Sequence, residues 1–277
     1  MLFAMTRLPL LKFCLPLLCA LLLSTAPTAS AQGWAKSLLD KSPRHQEWVK
    51  VKNGNRTVDA FVVYPEVSHK APVVLLIHEI FGLSDWARSM ADDIAAMGYI
   101  VIAPDLLSGF GPNGGGTSAF TDQQGAVKAV SGLSPDTVTA DLNATADYAL
   151  KFPAANGKLA VVGFCWGGGK SFAFATQRKD LSAAFVFYGP PPPTDALKNI
   201  TAPVYGFYAG NDARISATVP DTKAAMAAAG KKYDPQIYDG AGHGFMRAGE
   251  DPSNSNPANT TARTESLKRL ESLLKGM

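Results

Sequence analysis

The segment GFCWGG, residues 163–168, directly follows the apolar run Leu159–Val162. It matches the G-x-S-x-G pattern of a nucleophile elbow, with Cys165 in the place of the serine. Such a segment turns sharply from a strand into a helix, and only glycines two residues from the nucleophile leave room for the turn. The helix N-terminus that follows would favour a thiolate. Taken alone, the segment fits a buried cysteine in a glycine-rich turn equally well.

Outward from this turn, strand-like and helix-like segments alternate along the chain. Runs such as Val73–Ile77 are apolar throughout, which is typical of strands buried on both faces. The predicted strands are Glu47–Val51, Thr57–Tyr64, Val73–Ile77, Tyr99–Ala103, Leu159–Gly163, Ala184–Tyr188, Val204–Tyr208 and Gln236–Tyr238. The predicted helices are Ser84–Met97, Pro135–Lys151, Gly167–Arg178, Ala217–Ala229 and Thr261–Leu274. This alternation predicts an α/β fold, with a mostly parallel, doubly wound sheet of about seven to eight strands flanked by helices.

Two further reactive side chains follow predicted strands. Asp212 comes just after Val204–Tyr208, and His243 lies among glycines after Gln236–Tyr238. In an open α/β sheet, sites form at the carboxyl ends of the strands. The chain order cysteine, aspartate, histidine is that of a hydrolytic triad, so Cys165, Asp212 and His243 are the candidate catalytic residues. A lone aspartate in a turn is more often a helix cap, which is the alternative for Asp212.

The segment HEIFG, residues 78–82, follows the predicted strand Val73–Ile77. This position feeds the oxyanion hole in such sheets, so the backbone N–H of Ile80 is expected to pair with that of Trp166. Glu79 comes directly after a buried strand, and we expect its carboxylate to point into the site near the thiol.

Two motifs that would indicate a cofactor are incomplete. Residues 78–79 begin like the zinc motif H-E-x-x-H, but Gly82 stands where the second histidine belongs. GGGKS, residues 167–171, resembles the end of a phosphate-binding loop, but Phe164 occupies the place of the required first glycine. No G-x-G-x-x-G follows a first strand. We therefore expect no metal and no cofactor.

Residues 1–31 are predicted to be an export signal that is removed. Basic residues precede the apolar run Phe13–Leu23, and Ala29-Ser30-Ala31 forms a small-residue cleavage site. The alternative is a membrane anchor, which needs about 20 apolar residues, and this run is shorter. No later segment is long and apolar enough to span a membrane. The mature protein, periplasmic or secreted, would then have a lead-in at residues 32–45 and one domain at residues 46–277.

Composition narrows the classes of partner. Of the 277 residues, 47% are apolar and 18% are charged, which fits a large soluble domain and excludes a disordered tail. The net charge is +3, and removal of the signal would take away two of the basic residues that contribute to it. The remaining chain has no basic cluster that could bind nucleic acid. Cys165 is then the single thiol of the mature chain, either a buried spectator or a nucleophile. We expect a small-molecule substrate and a monomer.

At these motifs the sequence resembles the dienelactone hydrolase (carboxymethylenebutenolidase) family of the α/β-hydrolase superfamily. The resemblance runs from about Glu47 to Leu274. The segments that carry it are HEIFG (78–82), APDL (103–106), GFCWGG (163–168), FYG (187–189), GNDARI (210–215) and GHGFMR (242–247). A cysteine in the elbow together with the glutamate of HEIFG is far more specific than a hydrolase elbow alone.

The resemblance implies a set of roles. Cys165 would be the nucleophile, His243 the base and Asp212 the residue that orients the base. Glu79 matches a family glutamate that takes part in activating the thiol. The side chains expected to bind substrate are Phe81, Tyr188 and Arg247, of which Arg247 would hold a substrate carboxylate through its planar guanidinium. For Arg247, the alternative is a solvated surface side chain.

The sequence departs from the family in one stretch. Gln123 and Val127 stand where the family has an arginine and a tyrosine, and Lys128 is the nearest cation. The prediction is therefore a dienelactone hydrolase-like enzyme that opens a lactone or cleaves an ester through an acyl-enzyme. Two alternatives remain: a general thiol esterase for uncharged acyl esters, and a non-catalytic binding protein that retains the fold.

Overall fold

The computed structural model describes residues 33–277. The predicted export signal, residues 1–31, lies outside the described residues. The lead-in predicted for residues 32–45 contains a short helix, Gly33–Leu39, which the sequence analysis did not anticipate. Within residues 33–277, no helix combines the length and the apolar character needed to cross a bilayer.

Eight strands form one sheet in the order β1-β2-β4-β3-β5-β6-β7-β8. The strands are β1 (Gln46–Asn53), β2 (Arg56–Val63), β3 (Ala71–Ile77), β4 (Ile100–Pro104), β5 (Ala155–Phe164), β6 (Leu181–Phe187), β7 (Val204–Ala209) and β8 (Tyr233–Tyr238). The β1–β2 and β2–β4 pairs are antiparallel, and every other pair is parallel. The predicted strand number and the mostly parallel sheet are thus confirmed.

Helices cover both faces of this sheet. They are α1 (Gly33–Leu39), α2 (Asp85–Ala96), α3 (Gln123–Ser131), α4 (Pro135–Ala149), α5 (Trp166–Gln177), α6 (Ala213–Ser216), α7 (Val219–Ala228), α8 (Phe245–Ala248) and α9 (Pro257–Lys275). Val74 and Leu76 of β3 belong to the core that includes α2 and α9. Val73 and Leu75 belong to the opposite core, with α4 and α5. Successive strand side chains point to opposite faces, which explains why β3 is apolar at every position.

Two further differences from the predicted elements, at α3 and at β8, have a physical reason. Helix α3 was not predicted, because only Ala126 and Val130 are buried in it and Gly125 weakens its first turn. Asp122 nevertheless caps it by accepting a hydrogen bond from the Gly125 N–H at 2.7 Å. Strand β8 begins earlier than predicted and includes Pro235, which is tolerated because β8 is an edge strand.

Candidate active site

The carboxyl ends of five parallel strands meet at one edge of the sheet. In chain order, β3, β5, β6, β7 and β8 lead to Glu79, Cys165, Tyr188, Asp212 and His243. Residues more than 160 positions apart are therefore neighbours: the Arg247 and Glu79 side chains, for example, touch across the site. The sheet edge, as expected for this architecture, is where the candidate residues gather.

Cys165 occupies a strained turn between β5 and α5. Its backbone has φ 55° and ψ −117°, a conformation that few residues other than glycine adopt. A Cβ placed on Gly163 would lie 2.0 Å from the carbonyl oxygen of Gly167, and one on Gly167 would lie 2.3 Å from that of Ile77. The glycines on either side of the cysteine are therefore required by the close approach of backbone, as the sequence pattern indicated.

Cys165, His243 and Asp212 form a continuous hydrogen-bonded chain. The His243 Nε2 lies 3.0 Å from the Cys165 Sγ, and its Nδ1 lies 2.5 Å from the Asp212 Oδ2. Since the carboxylate can only accept, Nδ1 carries the proton and Nε2 is free to take one from the thiol. The other Asp212 oxygen accepts from the N–H of Ile215 at 3.4 Å. Asp212 thus both caps α6 and holds the histidine, so the two interpretations of this residue are compatible.

Burial and the negative charge of Glu79 raise the pKa of the Cys165 thiol to about 11. The backbone N–H groups of Trp166 and Ile80 donate to the sulfur and lower this pKa. The sequence pattern predicts that the helix terminus favours a thiolate, but in the structure burial outweighs that contribution. The resting group is therefore the neutral thiol. Both N–H groups thus lie beside Cys165, within the region that the carbonyl oxygen of a substrate attacked by the sulfur would have to enter.

Glu79 is buried, and its carboxylate is held by two neighbours. Arg247 Nε donates to the Glu79 Oε2 at 3.0 Å, and the Tyr188 hydroxyl donates to Oε1 at 3.4 Å. Burial raises the pKa of Glu79, whereas the charge of Arg247 lowers it. The guanidinium of Arg247 also lies over the Phe81 ring, 5.1 Å from its centroid. Arg247 is therefore part of the site and not a freely solvated surface arginine.

Tyr188 packs under the histidine. Its side chain is fully buried, and its ring lies 5.1 Å from the ring of His243 and 5.2 Å from that of Phe245. The structure therefore places Tyr188 as a support for Glu79 and His243. Phe81, by contrast, is only half-buried and faces Arg247.

A clamp that the sequence analysis missed holds the HEIFG turn. The buried carboxylate of Asp105 accepts from the Thr117 N–H and hydroxyl, both at 2.7 Å. The Thr117 hydroxyl in turn accepts from the Leu83 N–H at 3.0 Å. The Gly82 N–H donates to the Glu79 carbonyl at 3.2 Å and closes the turn that contains Ile80. Asp105 belongs to the APDL segment, which was the available signal, but its partner is 12 residues away.

His78 is a second residue whose place was not anticipated. Its side chain is fully buried and stacks on Trp166, with ring centroids 5.6 Å apart. Its Nδ1 lies 2.7 Å from the carbonyl oxygen of Glu79, so this nitrogen is the donor. Burial lowers the pKa of His78, which makes it a neutral packing partner of Trp166.

The remaining predicted positions lie on α3. Gln123 and Lys128 are exposed there, whereas Val127 is half-buried. Among residues 33–277, no group of three or more His, Cys, Asp or Glu side chains is arranged to hold a metal ion.

Comparisons with known proteins identify the family. The sequence profile described as "Dienelactone hydrolase family" matches residues 58–277. A Methylorubrum extorquens AM1 protein named "Putative carboxymethylenebutenolidase" is 31% identical over 210 residues, 71% of each chain. A Salmonella typhi protein of the same name is 32% identical over 199 residues, 67% of this chain and 72% of the other.

A solved structure agrees. The Klebsiella pneumoniae "Putative Dienelactone Hydrolase" superimposes with a TM-score of 0.70 at 26% identity, covering 81% of this chain and 97% of the other. The chain has the α/β-hydrolase fold of these proteins, and the family acts as hydrolases on esters or lactones. The chain belongs to the dienelactone hydrolase family.

Proposed function

We propose that this protein opens a lactone or cleaves a carboxylic ester through a Cys165 acyl-enzyme. The observation that carries the proposal is the hydrogen-bonded chain from the Cys165 Sγ to the His243 Nε2, 3.0 Å, and from Nδ1 to the Asp212 Oδ2, 2.5 Å. Family membership supports hydrolysis as the reaction class. The nucleophile, the base and its orienting carboxylate are then in reach of one another without any rearrangement.

In the first step, His243 takes the thiol proton as the sulfur attacks the carbonyl carbon. A C–S bond forms, and the carbonyl electron pair moves onto oxygen, where the N–H groups of Ile80 and Trp166 stabilise it. When the tetrahedral intermediate collapses, the C–O bond to the leaving alkoxide breaks. His243 returns its proton to that alkoxide. In a lactone, the alkoxide stays attached to the acyl group.

In the second step, water hydrolyses the thioester. His243 removes a proton from the water, the hydroxide adds to the acyl carbon, and the C–S bond breaks. The products are the free carboxylic acid and the regenerated thiol. Asp212 stabilises the imidazolium in both steps through its contact with Nδ1.

Glu79 has a separate role in this proposal. Its negative charge contributes to the raised pKa of the Cys165 thiol and so keeps the resting sulfur protonated. A neutral thiol resists oxidation, which matters for a protein outside the cytoplasm. A substrate carboxylate that contacts Arg247 would compete with Glu79 for the guanidinium and change the field at the sulfur.

The second candidate is a thiol esterase for uncharged acyl esters. It is favoured by the contact between Arg247 and Glu79, because this cation is already paired in the resting site. Gln123, in the place of a family arginine, supplies no second cation. Both candidates use the same nucleophile and differ in whether Arg247 binds substrate.

The test compares two substrates on the purified protein. We would measure the hydrolysis of p-nitrophenyl acetate and of a carboxylate-bearing enol-lactone by the wild type and by Cys165→Ala, Cys165→Ser and Arg247→Ala. Loss of both activities in Cys165→Ala supports the acyl-enzyme. Selective loss of lactone opening in Arg247→Ala favours the anionic lactone, and unchanged kinetics there favours the thiol esterase. Full activity in Cys165→Ala would overturn the proposal.

We also propose that the protein is exported and acts as a monomer. The basic residues, apolar run and small-residue cleavage site in residues 1–31 support export. The measurement is N-terminal sequencing of protein recovered outside the cytoplasm, where Gln32 is the expected first residue. Size-exclusion chromatography with light scattering then reports the oligomeric state.

A further inference from the structure

A cavity of about 630 Å³ lies outside the hydrogen-bonded chain of the active site. Its walls come from the loop after β4, from α3 and from the start of α4. None of Cys165, Asp212 and His243 lines it. A volume of this size suits a ligand of small-molecule dimensions.

The first wall of the cavity is an exposed aromatic ring in a fixed position. Phe110 is 50% exposed, but the Arg56 guanidinium lies 4.2 Å from its ring centroid. That guanidinium is itself anchored, because it donates to the Asp141 Oδ2 at 2.8 Å and to the Ser108 carbonyl at 2.6 Å. Asp141 is fully buried. The ring is thus backed by a cation that is tied into the core, which gives the cavity one preformed side.

A second aromatic ring that lines the cavity, that of Phe120, is also held in place. Phe120 rests against the first turn of α3, where a Cβ on Gly125 would lie 3.0 Å from the Phe120 Cδ1. Ala129 and Leu133 complete the apolar lining. Phe120, Ala129 and Leu133 pack on one small hydrophobic cluster, and Ile80 and Trp166 pack on that same cluster from the active site. The cavity and the proposed oxyanion hole are therefore connected through this shared hydrophobic cluster.

The charge of the lining specifies the ligand further. Lys128 is the only charged residue among those that line the cavity, and it is exposed. Within residues 33–277, Lys128 takes part in no ion pair. An apolar cavity lined by two aromatic rings and by one cation that forms no ion pair with the described residues complements a flat apolar body that carries one negative group.

We propose that this cavity binds an amphipathic organic anion, an aromatic or similarly apolar body with a single acidic group, at a site separate from Cys165. The apolar body contacts Phe110 and Phe120, and the acidic group faces Lys128. This site is independent of the acyl-enzyme chemistry, so its occupation does not require an active nucleophile.

The test uses two fluorescent probes of nearly the same shape. Anilinonaphthalene sulfonate carries the negative group, and N-phenylnaphthylamine lacks it. Both would be titrated into the folded protein and into two surface variants. Phe110→Ala should weaken both probes about tenfold, because half of the aromatic wall is lost. Lys128→Gln should weaken only the sulfonate, about threefold at low salt, and added salt should reduce that difference.

Matched controls separate this site from general surface binding. Lys223→Gln removes another exposed lysine, and Ile237→Ala truncates another exposed apolar side chain, 44% exposed. Neither control should change either affinity. Equal binding by the wild type and Phe110→Ala overturns the proposal. Competitive inhibition of p-nitrophenyl acetate hydrolysis, with an inhibition constant equal to the binding constant, overturns it as well, because the probe would then occupy the catalytic pocket.

The two proposals fail separately. Probe binding is measured by fluorescence and needs no catalytic turnover. The cavity proposal can therefore be tested even if the protein hydrolyses no ester. Conversely, suppose that the protein hydrolyses esters while its affinity for the probes is the same in the Phe110 and Lys128 variants as in the wild type. That result refutes the cavity site but does not contradict the acyl-enzyme.

Discussion

At the scale of single residues, the protonation of Cys165 is the property that most shapes the site. Opposing effects set the pKa of this thiol. Burial and the Glu79 charge raise the pKa, and two backbone N–H groups lower it. The effects that raise the pKa are the larger ones, so the neutral thiol is the favoured form. A neutral thiol is less reactive than a thiolate. In the proposed reaction, His243, whose Nε2 lies 3.0 Å from the sulfur, takes the thiol proton only as the substrate is attacked.

Glu79→Gln should make the thiol more reactive. Removing the negative charge lowers the pKa of Cys165, and it also releases the Arg247 guanidinium, whose charge interacts with the sulfur and acts in the same direction. We expect the rate of alkylation by iodoacetamide at roughly pH 8 to rise about three- to tenfold, and its pH profile to shift to lower pH. Glu265→Gln, an exposed carboxylate of α9, is the control. An unchanged profile would show that Glu79 does not act on the sulfur.

Asp212→Asn should lower kcat/KM about a hundredfold or more. The amide can donate to His243 and so no longer selects the tautomer with the proton on Nδ1. Ester-hydrolysis kinetics measure this effect. Because the same side chain caps α6, thermal unfolding should show a loss of at most about 1 kcal/mol. A full loss of activity caused only by unfolding would appear in that second measurement and contradict the catalytic role.

At the scale of secondary-structure elements, the turn after β3 depends on a contact from a distant loop. Thr117→Val removes the hydroxyl that joins Asp105 to the Leu83 N–H, and the turn containing Ile80 loses its clamp. We expect kcat to fall about tenfold with little change in KM, because one oxyanion donor is displaced. Thr117→Ser keeps the hydroxyl and should retain nearly full activity. Equal kinetics for the two variants would contradict a positioning role.

The elbow makes a prediction of its own. Gly163→Ala would place a Cβ 2.0 Å from the Gly167 carbonyl oxygen, so β5 and α5 must separate. We expect a loss of about 3 kcal/mol in urea unfolding, together with loss of activity. Gly33→Ala, where a Cβ meets no atom within 4 Å, is the matched control. Similar stability of both variants would show that the elbow adapts.

Local patterns predicted the elements well where burial is continuous. Runs such as Val73–Ile77 are apolar because both faces of the strand are covered. Such a run can be recognised from the local sequence alone, without knowing which segments pack against it. Helix α3 has too few buried residues to show a period. The contact of Asp105 with Thr117 is specified by the fold and leaves no mark in the local pattern. Chain order alone predicted that Cys165 and His243 lie close together. The packing of Tyr188 against the site is set by the fold and became visible only in the structure.

At the scale of the whole molecule, one arginine joins the last helix to the rest of the domain. Arg263 of α9 lies 2.8 Å from the Asp93 Oδ2 and 2.5 Å from the Glu250 Oε1. Asp93 belongs to α2, and Glu250 follows the short helix α8. Glu250 also accepts a hydrogen bond from the Trp86 Nε1 at 3.1 Å. Because α8 contains Arg247, this ion cluster also fixes the segment that reaches Glu79.

Arg263→Met should destabilise the protein by about 2 kcal/mol at neutral pH, because two partly buried carboxylates lose their cation. Burial already raises the pKa of Asp93 and of Glu250, and Arg263 opposes that rise. Without the arginine, both pKa values rise further. A folded-state pKa above the unfolded value means that the native state binds protons more tightly, so lowering the pH through that pKa favours folding. The loss in the variant should therefore shrink as the pH falls to about 5. Urea unfolding of the wild type, Arg263→Met and the exposed-site control Lys268→Met at both pH values measures the difference. A loss that stays constant across this range would mean that the cost comes from the changed packing of the side chain and not from the lost cation.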